Sequence, residues 1–253
     1  MILLIDSGNT AIKWAFVIDE QFQEMSRLIP SSENLAEQLH RITTSKQNNK
    51  VQAIYISNVA GVNREKELSA WCLEVYQIEP VYAFVSHEFN GLVNAYNPFE
   101  KLGVDRWLAL IAANDCFVGP ICVVDIGTAV TIDAIDDKKH YIGGVILPGL
   151  SLMRQSLQQN TDAIGSMQDR IDTNIFAKNT EQAVSSGSSL AIAATVDKMV
   201  DKLRIHTNKS VTCVLTGGDA LRVQSYLSYP IEAVPDLVLK GLYLWEKEND
   251  LDR

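Results

Sequence analysis

An apolar run, an Asp-x-Gly turn and a second apolar run occur twice in this chain, and no other feature restricts its fold as much. The first copy is Met1–Ile5, then Asp6-Ser7-Gly8-Asn9, then Ala11–Ile18. The second is Ile121–Val124, then Asp125-Ile126-Gly127-Thr128, then Ala129–Ile135. Apolar runs this short around a glycine turn read as β-hairpins. Asp6 and Asp125 stand 119 positions apart, and so do Gly8 and Gly127. A single D-x-G occurs by chance in most chains of this size. Two of them, each after a strand and each opening a domain-sized segment, point to duplicated domains facing each other across a cleft. Gly119-Pro120 interrupts the chain just before the second copy, which gives an N-terminal domain over 1–115 and a C-terminal domain over 116–253. With 253 residues there is enough chain for two small domains.

Between the hairpins the elements alternate. Gln23–Ile29 reads as a strand. Pro30-Ser31-Ser32 resembles a helix start, followed by Leu35, Ala36, Leu39 and Ile42 at helical spacing. A strand over Val51–Ser57, a helix over Asn63–Tyr76 and a strand over Val81–Val85 come next, and Gly103-Val104-Asp105 leads into an apolar helix ending near Asn114. The second half adds a strand over Tyr141–Leu147, helices over Ser151–Gln159 and Gln182–Arg204, a strand over Val211–Leu215, a helix over Leu221–Leu227 and a closing helix over Asp236–Glu248. Strands and helices in alternation predict a layered α/β fold rather than a sandwich or bundle.

The formal net charge of −9 argues against general nucleic-acid binding, because an acidic surface does not attract a phosphate backbone. It leaves an anionic substrate open, since a site sets its own local field. Cys72, Cys116, Cys122 and Cys213 form no C-x-x-C pair, and His40, His87, His140 and His206 are scattered. Reduced thiols are the expectation, not a disulfide framework or structural zinc. The start MILLIDSGNT reaches Asp6 after five apolar residues, too soon for a signal peptide. No run approaches the roughly 18 apolar residues of a membrane span. A cytoplasmic protein without membrane partners is the reading.

The turns suggest the chemistry. A tight glycine turn offers backbone amides that can cradle phosphate oxygens. An Asp beside such a turn cannot meet phosphate directly, since both are anions. Asp6 and Asp125 therefore read as metal-facing carboxylates, with hydrogen bonds from Asn9, Thr10 and Thr128 and charge from Lys13. The alternative is that both merely bond turn amides; the symmetric pair favours the metal. Thr216-Gly217-Gly218-Asp219 lies between a strand and a helix, an arrangement shared by nucleotide sites and ordinary turns. Asp105, at a helix start, is either a first-turn acidic residue or a general base kept ionised by the helix dipole.

Taken together, the motifs resemble one family. Asp6–Lys13 (DSGNTAIK), Gly103–Arg106 (GVDR), Asp125–Thr128 (DIGT), Gly143–Leu150 (GGVILPGL), Asn179–Gly187 (NTEQAVSSG), Leu215–Asp219 (LTGGD) and Pro235–Leu242 (PDLVLKGL) stand in the order and spacing of type III pantothenate kinases, members of the actin-like superfamily. The resemblance implies two actin-like, ribonuclease H-like domains with mixed sheets flanked by helices. It implies ATP-dependent phosphorylation of pantothenate to 4′-phosphopantothenate, the first step of coenzyme A synthesis, by a homodimer. On this resemblance Asp6, Ser7, Gly8, Asn9, Thr10, Ala11, Ile12 and Lys13 hold the ATP phosphates and magnesium. Asp125 takes a monovalent cation, potassium or ammonium, and Thr128 contacts ATP. Tyr96, Gly103, Val104, Asp105, Arg106 and Thr180 bind pantothenate, and Asp105 accepts the proton. The residues suit this: the acceptor is a primary alcohol, and the pantothenate carboxylate needs donors such as Arg106, Thr180 and Tyr96. Arg106 has an alternative as an exposed helix charge, Tyr96 as a partly buried ring.

Two departures stand out. Many members carry Ala where this chain has Val104. Many also carry a proline-rich lead-in before Asn179-Thr180, where this chain has Arg170–Phe176, so no contacts are assigned to 160–178. A regulatory protein keeping the kinase fold, like the homologous Bvg accessory factors, is the alternative function; another actin-like small-molecule kinase is a third. Asp6, Asp105 and Asp125 standing together argue against lost catalysis.

Overall fold

In a computed structural model of the chain, the structure describes residues 1–31, 35–43, 51–161 and 175–250. Its elements begin with β1 (Ile2–Ser7), β2 (Ile12–Ile18), β3 (Gln21–Phe22), β4 (Ser26–Leu28), α1 (Leu35–Thr43), β5 (Ala53–Asn58), α2 (Val62–Tyr76) and β6 (Val81–Tyr82). There follow β7 (Glu88–Phe89), β8 (Leu92–Asn94), a 3-10 turn at Phe99–Lys101, α3 (Val104–Cys116), β9 (Ile121–Ile126), β10 (Ala129–Ile135) and β11 (His140–Pro148). The chain ends with α4 (Leu150–Asn160), α5 (Thr180–Thr207), β12 (Thr212–Thr216), α6 (Ala220–Gln224), β13 (Ile231–Ala233) and α7 (Leu237–Asp250). No helix among the described residues is long and apolar enough to cross a membrane.

Two compact units result. One comprises Met1–Ser86, Asn97–Ala112 and Asp236–Arg253; the other comprises His87–Tyr96 and Ala113–Pro235. Against the expected division at 115/116, the segment 87–96 joins the second unit and the C-terminal helix joins the first. The reason is strand pairing and packing: β8 extends the second sheet through β11, while α7 packs on β1 and β5.

The sheets repeat one plan. The first runs β3-β2-β1-β5-β6, with β4 also pairing β2; the second runs β13-β12-β9-β10-β11-β8-β7. In each, a hairpin (β1·β2 or β9·β10) is antiparallel, and its first strand pairs in parallel with a later one, β5 or β12. The duplication expected from the two D-x-G turns is therefore present in the topology.

Alternation places the apolar side chains. In the first unit Leu3 and Ile5 of β1, Ile12, Trp14 and Phe16 of β2, and Ile54 and Ile56 of β5 pack against Leu35 and Leu39 of α1 and Leu68 and Trp71 of α2. In the second, Cys122, Val124 and Ile126 of β9, Val130 and Ile132 of β10, and Cys213 and Leu215 of β12 pack against Leu150 of α4 and Ile192, Val196, Val200 and Leu203 of α5. The opposite faces are also buried, at Leu4, Ala15 and Tyr55 in one sheet and Val123, Ile135 and Val214 in the other. A sheet covered on both sides reads as near-continuous apolar runs, and both hairpins do.

Candidate functional site

In the first unit, Asp6 is the penultimate residue of β1. It lies across the hairpin from Lys13 and beside Ser57 of β5, so all three share one face of the sheet. The Ser57 hydroxyl donates to Asp6 Oδ1 at 3.3 Å. The Gly8 amide closes the turn on the Ala11 carbonyl at 3.0 Å, and the Val59 amide reaches the Ser7 carbonyl at 3.1 Å. Asn9 and Thr10 are exposed at the tip. Ile12 and Ser7 are wholly buried, so a ligand at this turn meets their backbone. The Ser7 Oγ is buried with no hydrogen-bond partner among the described residues.

Gly103–Arg106 also lies in the first unit. Val104 begins α3, and the Trp107 amide donates to the Gly103 carbonyl at 3.0 Å. Asp105 turns back on this first turn: its Oδ1 accepts the Arg106 amide at 2.8 Å. A Cβ on residue 103 would stand 2.6 Å from that oxygen, so glycine there leaves room for the carboxylate. Asp105 is half-buried. Arg106 is only 9% exposed, which removes the exposed-charge alternative and makes it a built-in cation beside Asp105.

The second unit brings three motifs into contact. The Gly127 amide bonds the Ala129 carbonyl at 3.0 Å, closing the D-x-G turn; the Gly149 amide bonds the Thr128 carbonyl at 2.9 Å; the Asp219 amide bonds the Ile126 carbonyl at 3.0 Å. DIGT is thus held by the PGL turn on one side and TGGD on the other. Both supports require glycine. A Cβ at 149 would collide with the carbonyls of Gly127 and Thr128, and one at 217 with the Ile126 carbonyl and, at 2.5 Å, with Asp125 Oδ1. Gly217 also has φ +99°, a region open chiefly to glycine. Asp125 pairs across the sheet with Thr131 and Thr216, which puts all three on one face. Thr128 is exposed.

Tyr96 belongs to this second unit and is 37% exposed. Its amide donates to Asn94 Oδ1 at 3.0 Å. Thr180 is the exposed first residue of α5, and Asn179 caps that helix by accepting the Gln182 amide at 2.9 Å. The structure places Tyr96, Asp125, Thr128 and Thr180 in one unit and Asp6–Lys13 with Gly103–Arg106 in the other. Residues 162–174, with most of the lead-in to Asn179, lie outside the described residues. Reading the sequence missed Ser57, Asn94, Asp133 and Tyr141, which back the site residues from neighbouring strands. Only strand pairing reveals them, and no local motif marks them.

Asp6 and Asp125 are the carboxylates that could meet the expected ions. Magnesium keeps several waters and binds through one or two carboxylates plus substrate phosphates, and Asp6 is a carboxylate beside the Gly8 turn. Asp125 Oδ1 lies 2.5 Å from where a Cβ on residue 217 would stand and 3.7 Å from where one on residue 127 would, so glycine at both positions leaves that carboxylate room.

The family model for type III pantothenate kinase matches residues 2–202. The chain is 32% identical to the type III pantothenate kinase of Nitrosococcus oceani over 264 aligned positions, covering 100% of this chain and 98% of that one. It is 36% identical to the enzyme of that name from an Azoarcus species, covering 96% and 89%. Among solved structures it resembles a Baf family transcriptional activator from Campylobacter jejuni, with a TM-score of 0.60, 22% identity and coverage of 98% and 99%. It also shares its fold with a putative 2-dehydro-3-deoxygalactonokinase from Sinorhizobium meliloti, with a TM-score of 0.54, 12% identity and coverage of 98% and 99%. With the family model spanning most of its length, this chain belongs to the type III pantothenate kinase family.

Proposed function

We propose that this protein transfers the γ-phosphoryl group of ATP to the primary alcohol of pantothenate, giving 4′-phosphopantothenate at the entry to coenzyme A synthesis. The observation that carries this is family membership over nearly the whole chain. The regulatory alternative is not favoured. Phosphoryl transfer asks for positioning and charge neutralisation more than covalent chemistry. Asp6–Lys13 would hold the ATP phosphates: turn amides for the oxygens, the Asp6 carboxylate for magnesium and Lys13 for added positive charge. Bound magnesium would neutralise phosphate charge. Asp125 would hold potassium or ammonium, with Thr128 against ATP. Asp105 would take the alcohol proton. Arg106, Tyr96 and Thr180, with the Gly103 and Val104 backbone, would bind pantothenate.

We also read the protein as a cytoplasmic homodimer. Ile142, Val145 and Ile146 of β11 and Leu152 and Leu157 of α4 are exposed apolar side chains on neighbouring elements, surface that a second copy would cover; light scattering on the purified protein gives the mass that checks it. The test of function is coupled ADP release with ATP and magnesium, with and without pantothenate, in potassium, ammonium and sodium salts. Pantothenate-dependent release, faster in potassium or ammonium, is expected. Its absence in every salt would overturn the kinase reading and revive the regulatory one.

A further inference from the structure

Tyr96 is not held by its own segment alone. Its ring stacks on that of Tyr141, with centroids 6.4 Å apart and planes 11° from parallel. Tyr141 is wholly buried. Its hydroxyl donates to Asp133 Oδ1 at 2.9 Å, and Asp133 is itself 2% exposed. Strand register explains the reach. Tyr141 pairs with Ile135 of β10, and Asp133 lies two residues before Ile135 on the same face, a diagonal neighbour. On its other side Tyr141 pairs with Asn94 of β8; the Ala95 amide donates to the Tyr141 carbonyl at 3.3 Å, and Asn94 Oδ1 takes the Tyr96 amide. A half-exposed ring is thereby tied, through one buried ring, to a carboxylate inside the sheet.

We propose that Tyr141 is a positioning residue for pantothenate, acting through Tyr96. The inference rests on Tyr96 being a pantothenate contact. A ring on a short surface segment has rotamer freedom to lose when substrate binds; a ring already stacked has lost much of it beforehand, which favours binding. Asp133 fixes the stacking partner in turn, since a buried hydroxyl held by a buried carboxylate has one favoured direction. The effect belongs in pantothenate affinity, not in ATP affinity or the chemical step.

The experiment compares wild type, Tyr96→Ala, Tyr141→Leu, Tyr141→Phe and the Tyr96→Ala/Tyr141→Leu double variant by steady-state kinetics, with melting curves. Tyr141→Leu is expected to raise the pantothenate KM about 3- to 10-fold, the range set by one aromatic pair, with kcat and the ATP KM within about twofold. Tyr141→Phe, which keeps the ring, is expected to recover most of that loss. In the Tyr96→Ala background Tyr141→Leu is expected to add nothing, because the pathway is already cut. An unchanged pantothenate KM in Tyr141→Leu, equal losses in both backgrounds, or a matching shift in ATP KM or kcat overturns the proposal while leaving Tyr96 as a contact. An unchanged KM in Tyr96→Ala alone overturns the reading of Tyr96, and the proposal with it. Tyr141→Met, unbranched and able to fill an irregular gap, replaces the Leu variant if that protein loses a cooperative melt.

Discussion

Gly217 is seated on the backbone carbonyl of Ile126, with Asp125 Oδ1 2.5 Å from where its Cβ would be. The TGGD turn therefore acts as a wall behind the second D-x-G carboxylate. Gly217→Ala adds a methyl group with no space, at a φ of +99°. Overpacking typically costs about 1–3 kcal/mol, and a left-handed backbone adds about 1–2 for a residue with a Cβ. A lower melting temperature and a raised requirement for potassium are expected together, read by a melting curve and a potassium titration of activity. An unchanged melt would show that the wall yields.

Asp125→Asn probes the same turn without adding bulk. The shape is kept and the charge removed, so monovalent-cation activation is expected to weaken while the melting temperature moves little. Activity against potassium concentration measures this. An unchanged dependence would leave Asp125 as a turn residue only.

Much of this was legible in the sequence because hairpins with two buried faces leave long apolar runs, and both D-x-G turns were found where expected. The misses have physical causes. The strands β7, β8 and β13 are two or three residues long, too short for alternation to register. One of them did leave a signal: Asn90-Gly91, between Phe89 and Leu92, has φ of 48° and 80°, the pairing a two-residue hairpin demands. The start of α5 was expected two residues late, although Asn179 with Gln182 three positions on is a capping pair. The Tyr96–Tyr141 stack and the Asp6–Ser57 bond had no local trace, because strand pairing makes them across 45 and 51 positions.

The thiols should differ sharply in reactivity. Cys116 is exposed, while Cys72, Cys122 and Cys213 are buried. Burial pushes the Cys72 thiol up to about 12, and a hydrogen bond to Cys213, then burial, push Cys122 well up. A shift of that size leaves Cys72 about 10³-fold less thiolate near pH 8 than an ordinary cysteine. One fast equivalent with Ellman's reagent is expected from native protein and the other three only on unfolding, so Cys116→Ser should abolish the fast phase.

Asp136 ties the β10–β11 turn that delivers Tyr141. Its Oδ1 accepts the Lys138 and His140 amides, each at 2.8 Å, and its Oδ2 lies 3.2 Å from His140 Nδ1. Burial alone would raise its pKa, but the His140 and Lys138 amides and the His140 ring outweigh that and hold it below the usual carboxylate value. A depressed folded-state pKa gives stability that is complete above the unfolded value near 3.9 and is lost as pH falls through the folded one. Asp136→Asn is expected to cost about 1–2 kcal/mol at pH 7. Its gap from wild type should narrow as pH falls below the unfolded value near 3.9 and through the lower folded one, as paired denaturation curves would record. A gap constant with pH would mean that charge is not what Asp136 contributes.

Asp105 offers the sharpest decision, because its two roles predict opposite results. Its Oδ1 accepts the Arg106 amide at 2.8 Å, so the carboxylate sits at the positive end of α3, where the helix dipole favours the ionised form. Arg106, nearly buried next to it, is a donor suited to the carboxylate end of pantothenate. As general base Asp105 would contribute on the order of 10²–10⁴ in rate. A loose transition state needs little proton movement early, which favours the lower end. Asp105→Asn is expected to cut kcat by at least about 10² while the ATP KM stays near wild type. The amide oxygen can still take the alcohol hydrogen bond, so pantothenate binding should survive in part. If Asp105 serves only the helix start, the same change costs about 1 kcal/mol or less of stability and leaves kcat near normal. Steady-state kinetics beside a melting curve separate the two, and a near-wild-type kcat would remove Asp105 from the chemistry.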